Sequence, residues 1–265
     1  MSEETVDNQE KILGDITNIK TQETYTLPSK GLVYDADDNI PASITLRRMT
    51  TKEDKIRLRN ETDDRIRKDI LQACILTPNV DAGKLKLMDA NFLLFRLRSL
   101  SLLDDTYKVR VVCPFCGTEF IHELNLSDVP VVFLKDTDLT KLKVQLPISK
   151  CNIDFKYPSL DEMIRMSDRT RDYFEKFPQA EKTDVLYTLA TVVYIDKVNG
   201  NKLMTEELEP WLDNLDILDG RAIRDVIIGI EKLFGFQEDI PCQCPQCKKE
   251  VTHGLPITRD LFSPS

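Results

Sequence analysis

Two short cysteine turns limit what this chain can fold into more than any other feature. Cys113-Pro114-Phe115-Cys116 and Cys244-Pro245-Gln246-Cys247 each set two thiols within a few residues of one another. The residues after them match as well. From Cys113 to Leu124 and from Cys244 to Leu255 the chain reads C-P-x-C-x-x-E-x-x-H-x-L both times. A repeat of this kind marks two related structural units. Two such turns supply four thiolates, which is the donor set of a closed tetrahedral Zn²⁺ site with bonds of about 2.3 Å. A closed site leaves no position for water or substrate, so the metal would be structural. The expected ligands are Cys113, Cys116, Cys244 and Cys247. Between Cys116 and Cys244 lie 127 residues, far more than a compact ribbon needs. The expectation is therefore a zinc ribbon split by a large insertion, its metal tying the start of the insertion to its end and restricting the unfolded chain.

Three other uses of the cysteines compete. A redox dithiol in either turn would need a thioredoxin-like βαβ context, and neither turn has one. A disulfide framework suits an even cysteine count in a secreted chain, whereas this chain has seven. Plain core thiols fit Cys74 and Cys151, which sit among apolar residues. Cys242 is an alternative ligand to Cys244, but Cys244 preserves the repeat. His122 and His253 are the only histidines, each six residues past its turn. With four thiolates at hand neither is needed, and both read as solvent-facing or packed side chains.

The wider composition narrows function. The chain has 265 residues and a formal net charge of -9, which disfavours phosphate backbones and anionic membrane surfaces. Its start, MSEETVDNQE, is polar and acidic where a secretory signal would be apolar, and no run of about eighteen apolar residues is present. There is no P-loop, G-x-G-x-x-G, G-x-S-x-G or H-E-x-x-H motif. The reading is a non-enzymatic protein with no catalytic residue and no small-molecule cofactor site.

The periodicities predict an α+β fold: split zinc-ribbon β-hairpins, a large, mostly helical insertion, and an N-terminal helical and extended region. Residues 1–24 read as a flexible acidic arm. Residues 25–106 form the N-terminal region, with Ile44 and Leu46 in a strand and Thr50 and Glu53 opening a capping box. That helix is expected to run to about Ile75, and a second, largely buried one from about Lys84 to Leu103. Residues 107–128 make the first knuckle hairpin and 129–238 the inserted α+β domain. Within it, Ser159 and Glu162 cap a helix, a buried helix covers Thr183 to Lys197 (Val192 to Ile195 reading equally as strand), and further helices cover Glu206 to Leu218 and Gly220 to Phe236. Residues 239–265 hold the second knuckle and a tail.

Several stretches together resemble the baseplate hub subunit family of T-even-type contractile-tail bacteriophages. They are Leu27-Pro28-Ser29-Lys30-Gly31 with Tyr34, Thr50 to Lys55, Met88-Asp89 through Arg96 and Arg98, Tyr107 with the first cysteine turn, and the closing Leu261-Phe262-Ser263-Pro264. The resemblance implies a structural subunit of the virion tail baseplate, assembled in the host bacterial cytoplasm, with other baseplate and tail proteins as partners. The acidic arm and the Leu261-Phe262 tail are the expected docking elements, and no nucleic acid, membrane or small-molecule substrate is implied. Alternatives are a hub assembly chaperone absent from the mature virion, a zinc-ribbon transcription or nucleic-acid-associated factor, and a thiol oxidoreductase.

Overall fold

The computed structural model describes residues 21–102, 105–177, 188–237, 239–257 and 259–262. The chain opens with an antiparallel pair, β1 (Gln22–Thr26) and β2 (Ser43–Arg47), with Tyr25 opposite Ile44 and Glu23 opposite Leu46. Ile44 and Leu46 are fully buried while their neighbours are not, the period-two pattern of a half-buried strand. Residues 22–24, expected in the arm, are thus in β1, because β2 offers them a partner; residues 1–20 lie outside the described residues.

The link between these strands folds around one buried carboxylate. The Ser29 amide and hydroxyl and the Tyr34 hydroxyl all donate to Asp89, at 3.0, 2.5 and 2.8 Å. The Tyr34 oxygen in turn accepts from the Lys86 amide at 2.9 Å. Lys30 and Gly31 turn the chain through the left-handed region, with φ of 54° and 81°. Burial pushes the Asp89 carboxyl up to about 6, although its three donors favour the charged form.

Helix α1 (Thr51–Arg57) starts on the expected capping box. The Glu53 carboxylate accepts from the Thr50 amide at 2.8 Å, and the Thr50 hydroxyl accepts from the Lys52 amide. Glu53 also takes both arms of Arg47, at 3.1 and 2.9 Å, with its own side chain only 1% exposed. The single helix expected up to Ile75 is in fact two. Leu58 is 69% exposed, so no buried side chain pins the next turn. The chain restarts at Thr62 as α2 (Asp63–Cys74), with Asp63 and Asp64 at the positive end of the new helix. Helix α3 (Leu87–Leu102) is buried nearly all round, through Phe92, Leu93, Leu94, Phe95, Leu97 and Leu100. The residues before it, Ala82–Lys84, form a 3-10 turn capped by Asp81, which delays its start.

Next comes a hairpin of β3 (Thr106–Val112) and β4 (Glu119–Asn125). A short strand β5 (Val131–Val132) follows, then β6 (Lys143–Gln145) and β7 (Asn152–Phe155). Ser159 and Glu162 reciprocally cap α4 (Leu160–Lys176), as expected. The helix expected over Thr183 to Lys197 is borne out only over its described middle part. Residues 178–187 lie outside the described residues, 188–192 are helical, and β8 (Ile195–Val198) is a strand. The open edge of β7 decides the outcome, because β8 pairs along it and Asn199-Gly200 then turns with positive φ at both residues. The helix expected over Glu206 to Leu218 stops early as α5 (Thr205–Asp213). Asp216 starts α6 (Ile217–Glu231), its carboxylate accepting from the Leu218 amide at 2.8 Å.

α6 ends before Phe236 because Gly235, at φ 104°, leads into β9 (Gly235–Phe236), which pairs antiparallel with β5. That pairing sets Val131 against Phe236 and Val132 against Gly235. Residues 134 to 234 contribute a hydrophobic cluster of their own, with Leu134, Leu146, Ile153, Tyr157, Ile223 and Phe234 among its members. The first cluster holds the N-terminal strands, α2, α3 and the inner faces of β3, β10 (Ile240–Gln243) and β11 (Glu250–His253). All described strand pairs are antiparallel and the sheets have two or three strands, so the fold is α+β. Leu261 and Phe262, expected as docking residues, are 1% and 5% exposed in this first cluster. Their apolar area is taken up by the chain's own core, which corrects that expectation.

The Arg47 guanidinium, and secondarily the Thr50 hydroxyl and amide, hold the Glu53 carboxyl at about 2 against its ordinary 4.5. A depressed carboxyl contributes stability that is full above the unfolded value and lost as pH falls through the folded one. Glu53→Gln is therefore expected to lower stability at neutral pH, the difference from wild type shrinking between pH 4.5 and 2. Urea midpoints across that range check it; a difference independent of pH would contradict the pairing.

Candidate metal centre

Each cysteine turn closes a two-stranded hairpin, β3–β4 for the first and β10–β11 for the second. Alternation sends Tyr107, Val109 and Val111 inward from β3, and Cys242 and Val251 inward from β10 and β11. The two turns repeat each other bond for bond. The Cys113 amide donates to the Thr118 carbonyl at 2.9 Å, and the Gly117 amide to the Cys113 carbonyl at 2.9 Å. In the second turn, Cys244 donates to Lys249 and Lys248 to Cys244, both at 3.0 Å. The fifth residue of each turn is left-handed, Gly117 at φ 72° and Lys248 at φ 59°.

The hairpins bring the four expected thiols together. The Sγ atoms of Cys113 and Cys247 are 3.6 Å apart, those of Cys116 and Cys244 3.7 Å, and all four lie within 4.8 Å of one another. A tetrahedron with metal–sulfur bonds of about 2.3 Å has edges of about 3.8 Å. The four sulfurs thus already stand near the corners that one cation requires. Cys113 and Cys244 are buried, Cys116 is exposed and Cys247 half-buried. Each turn gives one inner and one outer thiol, and inner pairs with outer across the hairpins.

Electrostatics fit the same use. Hydrogen bonds from the Thr118 side chain and backbone bring the Cys116 thiol down to about 6. The Lys249 amide works in the same direction at Cys247, yet burial and the three neighbouring sulfurs push that thiol up to about 11. Four sulfurs this close cannot all ionise on their own, and a divalent cation between them favours all four thiolates at once. The Lys249 ammonium sits 4.5 Å from the centre of the Phe115 ring, so the tips of the two turns also touch.

The sulfur of Cys244, not that of Cys242, joins the set. Cys242 groups instead with His122 and His253. These histidines, expected to face solvent or pack separately, bond to each other, His122 Nδ1 to His253 Nε2 at 2.8 Å. Burial, and then the neighbouring His253, hold His122 below the ordinary imidazole value. The repeat marks these two residues as equivalent, and the packing of the two units about a pseudo-twofold brings them face to face. Cys74 is fully buried, its thiol pushed up to about 12, as expected of a core residue. Cys151 is half-buried at the margin of the second hydrophobic cluster, its sulfur 3.6 Å from the Asn199 side-chain nitrogen.

Comparison with known proteins gives one match. The family model described as T4 bacteriophage base plate protein matches residues 19–263. No curated protein and no solved structure matches the chain. Among the described residues no helix is long and apolar enough to cross a membrane.

The shared turn geometry makes the same demand at its two left-handed positions, met by glycine at 117 and by lysine at 248. A Cβ added at Gly117 would meet nothing within 4 Å, so Gly117→Ala carries only a conformational cost, about 1 kcal/mol. Lys248→Gly relieves the equivalent strain and is expected to stabilise by about 0.5 kcal/mol. Chemical denaturation of both variants checks the pair, and equal signs would mean the turns are not equivalent.

Proposed function

The chain belongs to the T4 bacteriophage base plate protein family, and on that premise we propose that it is a structural subunit of the hub region of a contractile-tail baseplate, stapled by one Zn²⁺. The family match over residues 19–263 supports the baseplate role. The sulfur arrangement, with edges of 3.6 and 3.7 Å, supports Cys113, Cys116, Cys244 and Cys247 as the ligands.

On this reading the two hairpins are halves of one zinc ribbon, and residues 129–238 are a domain inserted between them. The separate hydrophobic cluster of residues 134 to 234 supports the division, as does the β5–β9 pair that brings that segment's ends together. A baseplate must keep its geometry until the tail contracts, and a closed metal site needs no ligand exchange to do so. The role assigned to the subunit is rigidity, without catalysis. It is assembled in the host cytoplasm and retained in the virion tail. The acidic arm, residues 1–24, docks on neighbouring tail proteins through its N-terminal part, and no nucleic acid is contacted by a chain of net charge -9.

Two measurements test this. Cys116 is exposed, so Cys116→Ser removes a ligand with little loss of packing. That variant is expected to lose tetrathiolate-bound Zn²⁺ and at least about 10 °C in Tm; wild-type Tm with undiminished metal would rule out the four-thiol centre. Mass spectrometry of purified particles is expected to find the chain in fixed stoichiometry. Its recovery from infected cells but never from particles would favour the assembly chaperone instead.

A further inference from the structure

We infer that His122, Cys242 and His253 form a second metal site, binding a zinc-class divalent cation through two imidazole nitrogens and one thiolate, with the fourth position left to water. These residues are distinct from the four thiols above, and the inference does not depend on that centre being filled.

The juxtaposition follows from strand geometry. Val251 pairs directly with Cys242, and His253, two residues along β11, shares that face. His122 projects from the inward face of β4, in the other hairpin. Its imidazole and that of His253 and the Cys242 sulfur place their ligand atoms within 4.8 Å of one another. Cys242 is 8% exposed, while both imidazoles are partly exposed, so a cation held here has a protein side and a solvent side.

Two details go beyond proximity. His253 Nδ1 lies 2.8 Å from the Gly254 carbonyl, so that nitrogen carries the proton and donates. Nε2 is left as a lone pair aimed at His122, and a backbone carbonyl fixing the tautomer in this way is the usual support of a metal-binding histidine. The second detail is a break in the repeat. The residue two before the first cysteine of each turn is Val111 in one unit and Cys242 in the other, both buried. The pseudo-twofold is thus broken where a third ligand is needed, by a thiol in place of a valine. Two nitrogens on one Zn²⁺, at about 2.05 Å each, stand about 3.3 Å apart in a tetrahedron. From 2.8 Å the rings need to separate by about 0.5 Å to admit the ion, and the proton that His122 Nδ1 donates to His253 Nε2 gives way to it, His122 taking the tautomer protonated at Nε2.

The donor set indicates the class of cation. Two imidazoles and a thiolate are borderline ligands suited to Zn²⁺ or its reporter Co²⁺, and three protein ligands leave the site open where the four-thiol centre is closed.

The test is a metal titration of the full-length, chelator-stripped and reduced chain with Co²⁺ and then Zn²⁺, read by bound equivalents and absorption. Wild type is expected to bind two equivalents, and His122→Ala and His253→Ala one each. In Cys242→Ser the single-thiolate charge-transfer band should vanish while the tetrathiolate bands remain. Wild type saturating at one equivalent that Cys116→Ser removes and His122→Ala keeps would overturn the second site. So would a second equivalent that survives both histidine substitutions. One equivalent with the reverse dependence would uphold this site and refute the four-thiol centre, so the two readings fail separately.

Discussion

Four sulfurs meeting from two turns 127 residues apart constrain everything else in this chain. For them to meet, β3–β4 and β10–β11 must pack their inner faces on a common core, and Val109, Val111, Val251 and Leu255 do so in the cluster that also holds α3. The segment in between must begin and end at neighbouring points, and β5 and β9 meet that condition by pairing directly. The hydroxyl of Tyr107, at the base of the first hairpin, donates to the Pro256 carbonyl just past the second, at 2.6 Å. Pairing, packing and hydrogen bonding thus bring the hairpins together before any cation is considered.

The same economy governs the N-terminal body. The Leu27 to Tyr34 segment has little regular structure, and its polar groups would be costly to bury unpaired. Asp89 resolves this by accepting from Ser29 twice and from Tyr34 once, at the first turn of the most buried helix. Ser29 and Tyr34 thus meet a residue 60 and 55 positions further along the chain. The proximity is physical: a link between strands is fastened to α3 by one carboxylate.

Elements encoded by local rules were legible in the sequence, and those settled by tertiary partners were not. The capping boxes at Thr50 and Ser159 depend on residues three apart and were read correctly. The strands on either side of Cys113 and the cysteine turns themselves follow from alternation and motif. What failed was continuity. The expected helices run straight through 58–62 and 214–216, but no buried side chain secures the first stretch and Asp216 caps a new start in the second. Val192 to Ile195 is apolar enough for either state, and the free edge of β7 draws the chain into strand from Ile195 on. The meeting of the four thiols was legible because a spaced motif marks its donors independently of the fold. The His122–His253 pair was not, because it needs the mutual orientation of two units and not merely their similarity.

How a cation in the four-thiol centre would stabilise this protein follows from where the hairpins already sit. A permanent crosslink between residues this far apart would remove on the order of 4–5 kcal/mol of entropy from the unfolded chain. A zinc ion is not permanent: if it leaves on unfolding, the long loop is free again and that entropy is never withdrawn. The stabilisation is then the binding free energy to the folded form alone, and depends on how far the folded chain has prepared the site. Here the preparation is extensive, with matched turns, inner thiols buried, two sulfur–sulfur edges of 3.6 and 3.7 Å and all four sulfurs within 4.8 Å of one another. The length of the insertion therefore matters little to the metal. What matters is that β5–β9 and the shared core hold the two hairpins in place, so that the 127 residues between the two turns impose almost no cost on a site built from the hairpins that flank them.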